Sequence, residues 1–129
     1  MMYEPYMPVN VIKRDLHILN NYIFKRGTRI PFLASYKLTY HCNLRCLQCP
    51  FWEMKSPDPS FSSVVETLDA LYVRGNRIII FEGGEPMLWK DGVYTIHDVV
   101  TEARKRFYRV GMTTNGTLPP WLAAIPSRN

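Results

Sequence analysis

The sequence has no run approaching the about 18 apolar residues of a membrane span. Its longest aliphatic stretch, Ile78-Ile79-Ile80-Phe81, suits a buried strand. Glycine is sparse, 7 in 129 residues, and no tract repeats, which excludes a collagen-like or low-complexity chain. The start, Met1 to Asn10, lacks a charged opening, an apolar stretch and a small-residue cleavage site, so no secretory signal is expected. Acidic residues are outnumbered, 11 to 16, and the net charge of +5 is well short of a nucleic-acid tail. Cysteine is scarce too: there are three, an odd number, all between positions 42 and 49. A disulfide framework scatters an even number along the chain. Three thiols packed so closely point instead to metal ligation in a reducing cytosol.

What is present is the material of a folded chain, with 47% hydrophobic and 13% aromatic residues. The length allows one domain at most, or a piece of one. Three parts are expected: an amphipathic helical segment over 1–30, an α/β region over 31–118 and an irregular tail over 119–129. In the first, Ile12, Leu16, Leu19 and Ile23 fall on one helical face, Lys13, Arg14, Lys25 and Arg26 lie largely off it, and Gly27 is a candidate C-cap. Such a helix packs across the end of a domain or lies on a membrane surface, and the first reading is favoured.

From Pro31 the pattern changes. Phe32 to Tyr40 reads as a strand and delivers the chain to His41-Cys42. A loop with Pro50, Pro57 and Pro59 follows. Ser63 with Glu66 is a capping-box signature, Val65, Leu68, Leu71 and Tyr72 form an apolar stripe, and Gly75 ends that helix. Arg77 to Glu82 reads as a strand buried on both faces and runs into Gly83-Gly84-Glu85-Pro86. Thr95 with Asp98 opens a second helix carried by Ile96, Val99, Val100, Ala103 and Phe107; Tyr108 to Thr114 is a third strand, closed by Asn115-Gly116. Strand, helix, strand, helix, strand is the alternation that builds a parallel sheet with right-handed crossovers.

Cys42, Cys46 and Cys49 form C-x3-C-x2-C at the C-terminal end of the first strand, where parallel α/β architectures gather ligands. Structural zinc sites and ordinary iron–sulfur clusters use four protein ligands. Three thiolates on one loop can grip three corners of a [4Fe–4S] cubane and leave one iron open for substrate or cofactor. The competing readings are zinc with His41 as fourth ligand, ordinary buried cysteines, and a redox pair at Cys46 and Cys49. Gly83-Gly84-Glu85-Pro86 lies at the same end of the second strand. There the glycines let backbone approach a ligand, and Glu85 can accept from an ammonium group; alone it would read as an ordinary βα turn.

Taken together, Cys42-x3-Cys46-x2-Cys49, Gly83-Gly84-Glu85-Pro86 and Thr113-Thr114-Asn115-Gly116 resemble the N-terminal half of a radical S-adenosylmethionine (SAM) enzyme, over roughly residues 33–118. The resemblance implies half of a partial (β/α)6 TIM-like barrel, preceded here by the amphipathic helix. It implies a [4Fe–4S] cluster on Cys42, Cys46 and Cys49, with SAM chelating the fourth iron through its methionine amino and carboxylate groups. Gly83, Gly84, Glu85 and Pro86 would hold the methionine amino group, and Thr114 and Asn115 would make polar contacts to the cofactor. Many members carry an aromatic residue near the adenine just before the last cysteine. This chain departs from them with Gln48, leaving the base to Gln48 and loop backbone groups.

The implied reaction is reductive cleavage of SAM to methionine and a 5′-deoxyadenosyl radical, which abstracts hydrogen from a substrate in a closed, dry cavity. The implied partners are a ferredoxin- or flavodoxin-type one-electron donor and a substrate that the sequence does not name. The alternative is an iron–sulfur or zinc binding module without radical catalysis. A third class, a basic RNA-binding module, rests on Arg104, Lys105, Arg106 and Arg109, for which a solvated helix end is the favoured account. Six βα units at barrel scale take roughly 190 residues, so the chain reads as a truncated product, a fragment, or a half completed by another chain, with truncation favoured. Its third strand is then an open edge inviting self-association.

Overall fold

The computed structural model describes residues 31–119 and, before them, Leu16, Leu19, Asn20 and Ile23. The chain divides into two units, residues 1–30 and 31–129. In the first, the four described residues are helical and exposed. Ile12, Lys13, Arg14, Lys25, Arg26 and Gly27, on which the expected stripe and cap also rest, lie outside the described residues, as does the expected tail beyond Pro119.

In the second unit β1 (Leu33–Thr39), α1 (Phe61–Val73), β2 (Ile78–Gly83), a short hairpin of β3 (Lys90–Asp91) and β4 (Tyr94–Thr95), α2 (Ile96–Arg104) and β5 (Arg109–Met112) follow in order. β2 lies between β1 and β5, parallel to both. The chain is thus α/β with a three-stranded parallel sheet, as the alternation predicts, an arrangement consistent with part of a β/α barrel. Register puts Ala34, Ile79 and Val110, then Tyr36, Phe81 and Met112, on one sheet face. Ile79 and Phe81 are fully buried there with Val64 and Leu68 of α1 and Val99 and Ala103 of α2. The other face carries Leu33, Ser35 and Lys37 of β1, all exposed.

α1 begins one turn earlier than Ser63. Ser60 is its N-cap, and its hydroxyl accepts the Ser63 N–H at 3.3 Å. Its apolar face is also turned from the expected stripe: Val64 and Leu68 are the buried positions, Phe61 and Leu71 pack beside them, and Tyr72 is exposed. Gly75, at φ +104°, follows the C-cap Arg74, a left-handed position that suits glycine. α2 starts where Thr95 and Asp98 place it, the Asp98 carboxylate accepting the Thr95 N–H at 2.8 Å and its hydroxyl at 3.2 Å. Phe107, beyond the helix end, still joins the core. β5 is shorter than the expected strand, which gives way to turn residues after Met112.

The β3–β4 hairpin was not expected. It turns at Gly92, φ +56°, and brings Tyr94 into a stack on Phe61 at 4.1 Å between ring centroids. Beside it Trp89 is buried and donates its indole N–H to the Pro59 carbonyl at 3.2 Å.

Candidate functional site

Because the three strands are parallel, their C-terminal ends share one edge of the sheet. β1 leads into the cysteine loop, β2 into Gly83–Pro86 and β5 into Thr113–Thr117. Thr39, buried at the end of β1, accepts the His41 N–H on its hydroxyl at 3.0 Å. The cysteine loop closes a turn through the Cys49 N–H to the Cys46 carbonyl, 3.1 Å. That same carbonyl accepts the indole N–H of Trp52 at 3.2 Å, and the Arg45 guanidinium lies over the Trp52 ring at 5.6 Å. Phe51 packs on Tyr40, and the Lys37 ammonium lies over the Phe51 ring at 5.5 Å from its centroid. Both aromatics after the last thiol therefore brace the loop.

All three thiols are free; Cys46 is exposed, Cys42 and Cys49 half-buried. The Cys42 sulfur accepts the Leu44 N–H at 3.4 Å and the Asn115 side-chain amide at 3.7 Å. Among the described residues no three His, Cys, Asp or Glu side chains form a group close enough to hold a metal; the thiols share one loop without meeting at one point. The exposed His41 imidazole has its Nε2 3.9 Å from Asp58. Gln48 is exposed.

The two glycines of Gly83-Gly84-Glu85-Pro86 have a reason within the chain itself. A Cβ on Gly83 would lie 2.0 Å from the Thr39 carbonyl oxygen, and one on Gly84 2.2 Å from that of His41. No side chain fits where β2 runs so close to the end of β1. The Gly84 N–H donates to Thr39 O at 2.8 Å and the Glu85 N–H to His41 O at 2.7 Å, so the motif is laced to the residues entering the cysteine loop.

Glu85 is fully buried. Its Oε1 accepts the Met87 N–H at 3.1 Å and the Thr114 hydroxyl at 3.0 Å; its Oε2 lies 2.9 Å from that hydroxyl and accepts the Asn115 N–H at 2.7 Å. The side chain expected to face an ammonium group is thus an internal tie between the ends of β2 and β5. Pro86 is buried beside it and opens a 3-10 turn. Thr114, expected to contact the cofactor, directs its hydroxyl to Glu85, while Asn115 reaches Cys42 and Asn43.

Sequence reasoning passed over Asn43 and Thr117. The Asn43 amide donates to the Thr117 hydroxyl at 2.7 Å across 74 positions of chain. Nothing in local spacing signals a contact between residues so far apart.

Shifted ionisations lie away from this edge. Burial pushes the Tyr36 phenol up, against an opposing hydrogen bond with Thr67. Arg106, half-buried after α2, pairs with Asp69 of α1 and Glu102 of α2; its hydrogen bond to Asp69 holds that carboxyl below its usual range. Lys105 pairs with Glu102 as well. Two members of the basic cluster, Lys105 and Arg106, are therefore paired with acidic side chains.

The chain matches the family model described as the Radical SAM superfamily over residues 36–126. It is 34% identical over 89 residues to an AdoMet-dependent heme synthase of Nitratidesulfovibrio vulgaris, covering 67% of this chain and 23% of that protein. It is 32% identical over 92 residues to an Fe-coproporphyrin III synthase of Methanosarcina barkeri, covering 67% and 21%. To a probable GTP 3′,8-cyclase of Archaeoglobus fulgidus it is 35% identical over 83 residues, covering 63% and 26%. The matched region spans about a fifth to a quarter of the length of these relatives. No solved structure matches the chain.

Proposed function

The chain belongs to the radical SAM superfamily, and from that premise we propose that it holds a [4Fe–4S] cluster on Cys42, Cys46 and Cys49 and binds SAM at the iron they leave open. One observation carries the reading: the loop after β1 bears three free thiols and is hydrogen-bonded to the two other loops at its sheet edge, through Thr39 and His41 to Gly84 and Glu85 and through Cys42 to Asn115, which Glu85 holds in turn.

The donor set fits the group. Thiolates are the ligands such clusters take, and N–H donors of Leu44 and Asn115 already reach the Cys42 sulfur. An ammonium needs acceptors. With the N–H groups of Gly84 and Glu85 turned to β1, the carbonyl oxygens of Gly83 and Gly84 are the proposed acceptors for the methionine amino group. Glu85 serves by fixing that backbone against β5, and Gln48 stands beside the adenine with loop backbone groups. The chemistry supplied by the bound pair is reductive cleavage of SAM to a 5′-deoxyadenosyl radical that takes hydrogen from a substrate. The chain's part is to fix the loop and hold the methionine end; Phe51 and Trp52 stiffen the loop for this.

The proposed partners are a one-electron donor of ferredoxin or flavodoxin type and a substrate held over the strand ends, in the reducing cytosol. Self-association along the outer edge of β5 belongs to the same proposal, since among the described residues that edge pairs with no strand. No helix among the described residues is long and apolar enough to cross a membrane. The relatives' names mention a heme, a coproporphyrin and GTP, so the proposal fixes the chemistry and leaves the substrate class to the rest of the site.

Anaerobic reconstitution with iron and sulfide tests this. The expected product is brown, with about four irons per folded chain, and Cys46→Ala abolishes cluster retention. Stoichiometric zinc and no visible chromophore would overturn the reading in favour of a zinc binding module.

A further inference from the structure

Asn115 makes every hydrogen bond its side chain allows. Its Oδ1 accepts the Thr117 N–H at 3.0 Å and the Thr117 hydroxyl at 2.7 Å. Its Nδ2 donates to Asn43 Oδ1 at 2.8 Å and to the Cys42 sulfur at 3.7 Å. The Thr117 hydroxyl in turn accepts from Asn43 Nδ2 at 2.7 Å, which closes a ring of three side chains. A backbone N–H can only donate, so the Thr117 N–H forces the oxygen of Asn115 toward itself and the amide N–H groups toward the sulfur. The backbone N–H of Asn115 is meanwhile fixed on Glu85 at 2.7 Å.

We infer that Asn115, clamped by Asn43 and Thr117, is a positioning residue for Cys42, donating an N–H···S hydrogen bond that raises the reduction potential of the cluster carried there. The inference rests on the cluster proposed above. A hydrogen bond to a ligating sulfur draws off negative charge and favours the reduced state, one of the ways proteins set cluster potentials. Ring closure adds orientation: losing Thr117 or Asn43 frees an amide that is otherwise locked. Through Glu85 the same residue ties the potential of the cluster to the geometry of Gly83–Pro86.

The test is the midpoint potential of the reconstituted cluster in the full chain, read optically and with iron and sulfide counted for every sample. Asn115→Leu removes the donor; Thr117→Val takes the hydroxyl out of the ring without touching a cysteine; Thr117→Ser keeps the hydroxyl. The expected result is a shift to more negative potential in Asn115→Leu, a smaller shift the same way in Thr117→Val, and the wild-type value in Thr117→Ser. If Asn115→Leu retains no cluster, the Thr117 pair decides alone. A wild-type potential in Asn115→Leu and Thr117→Val, with full iron content, overturns the inference and leaves the cluster reading standing. A wild-type chain that takes up no iron–sulfur cluster overturns both.

Discussion

Gly84 shows how a residue type can be legible in a sequence for one reason and required for another. Two adjacent glycines after a strand read as room for a ligand, and the structure places them against the carbonyls of Thr39 and His41. Gly84→Ala forces a Cβ to 2.2 Å from the His41 oxygen, which movement of the Gly83–Pro86 turn or of the residues entering the cysteine loop must relieve. The expected cost is about 1–3 kcal/mol, read as a lower urea midpoint, with reduced iron retention because His41 adjoins Cys42. An unchanged midpoint would show that the loop yields freely. The cysteines were legible because their spacing along one loop is itself the chemistry. Asn43 and Thr117 were not, because their contacts depend on tertiary folding across more than 70 positions. The role of Glu85 was half legible: its place at the strand end follows from the motif, its burial from packing that the motif does not encode.

Among the elements, hydrophobic pattern together with capping and turn residues located three strands and two helices, since a continuous Ile-Ile-Ile-Phe run and an i, i+3, i+4 stripe have different burial geometries. The start of α1 was misjudged by a turn because Ser60 and Ser63 are equally good caps locally. A residue 30 positions away contributes to this helix end: Asp91 of the hairpin accepts the Phe61 N–H at 2.8 Å. A carboxylate at a helix N-terminus satisfies an orphan donor and suits the dipole. Asp91→Ala should therefore destabilise the fold by about 1 kcal/mol, measured by equilibrium denaturation, and raise amide exchange in the first turn of α1. Unchanged exchange at Phe61 would contradict this capping role. The hairpin itself went unread although Asp91-Gly92 is a turn pair, because its strands of two residues are too short for any alternation to show.

For the molecule as a whole, helices and sheet serve to bring three loops to one edge. The Asp69–Arg106–Glu102 ties join α1 to the end of α2 on the covered side, while β1, β2 and β5 deliver cysteines, the Gly-Gly turn and Asn115 together. The central claim is that this edge binds SAM at an iron the cysteines leave open. Electron paramagnetic resonance of the anaerobically reconstituted, reduced chain, recorded with and without SAM, tests it most directly. The account predicts that SAM changes the signal of the reduced cluster, because a new ligand alters the open iron. An identical spectrum with saturating SAM, on a chain carrying its full iron, would contradict it.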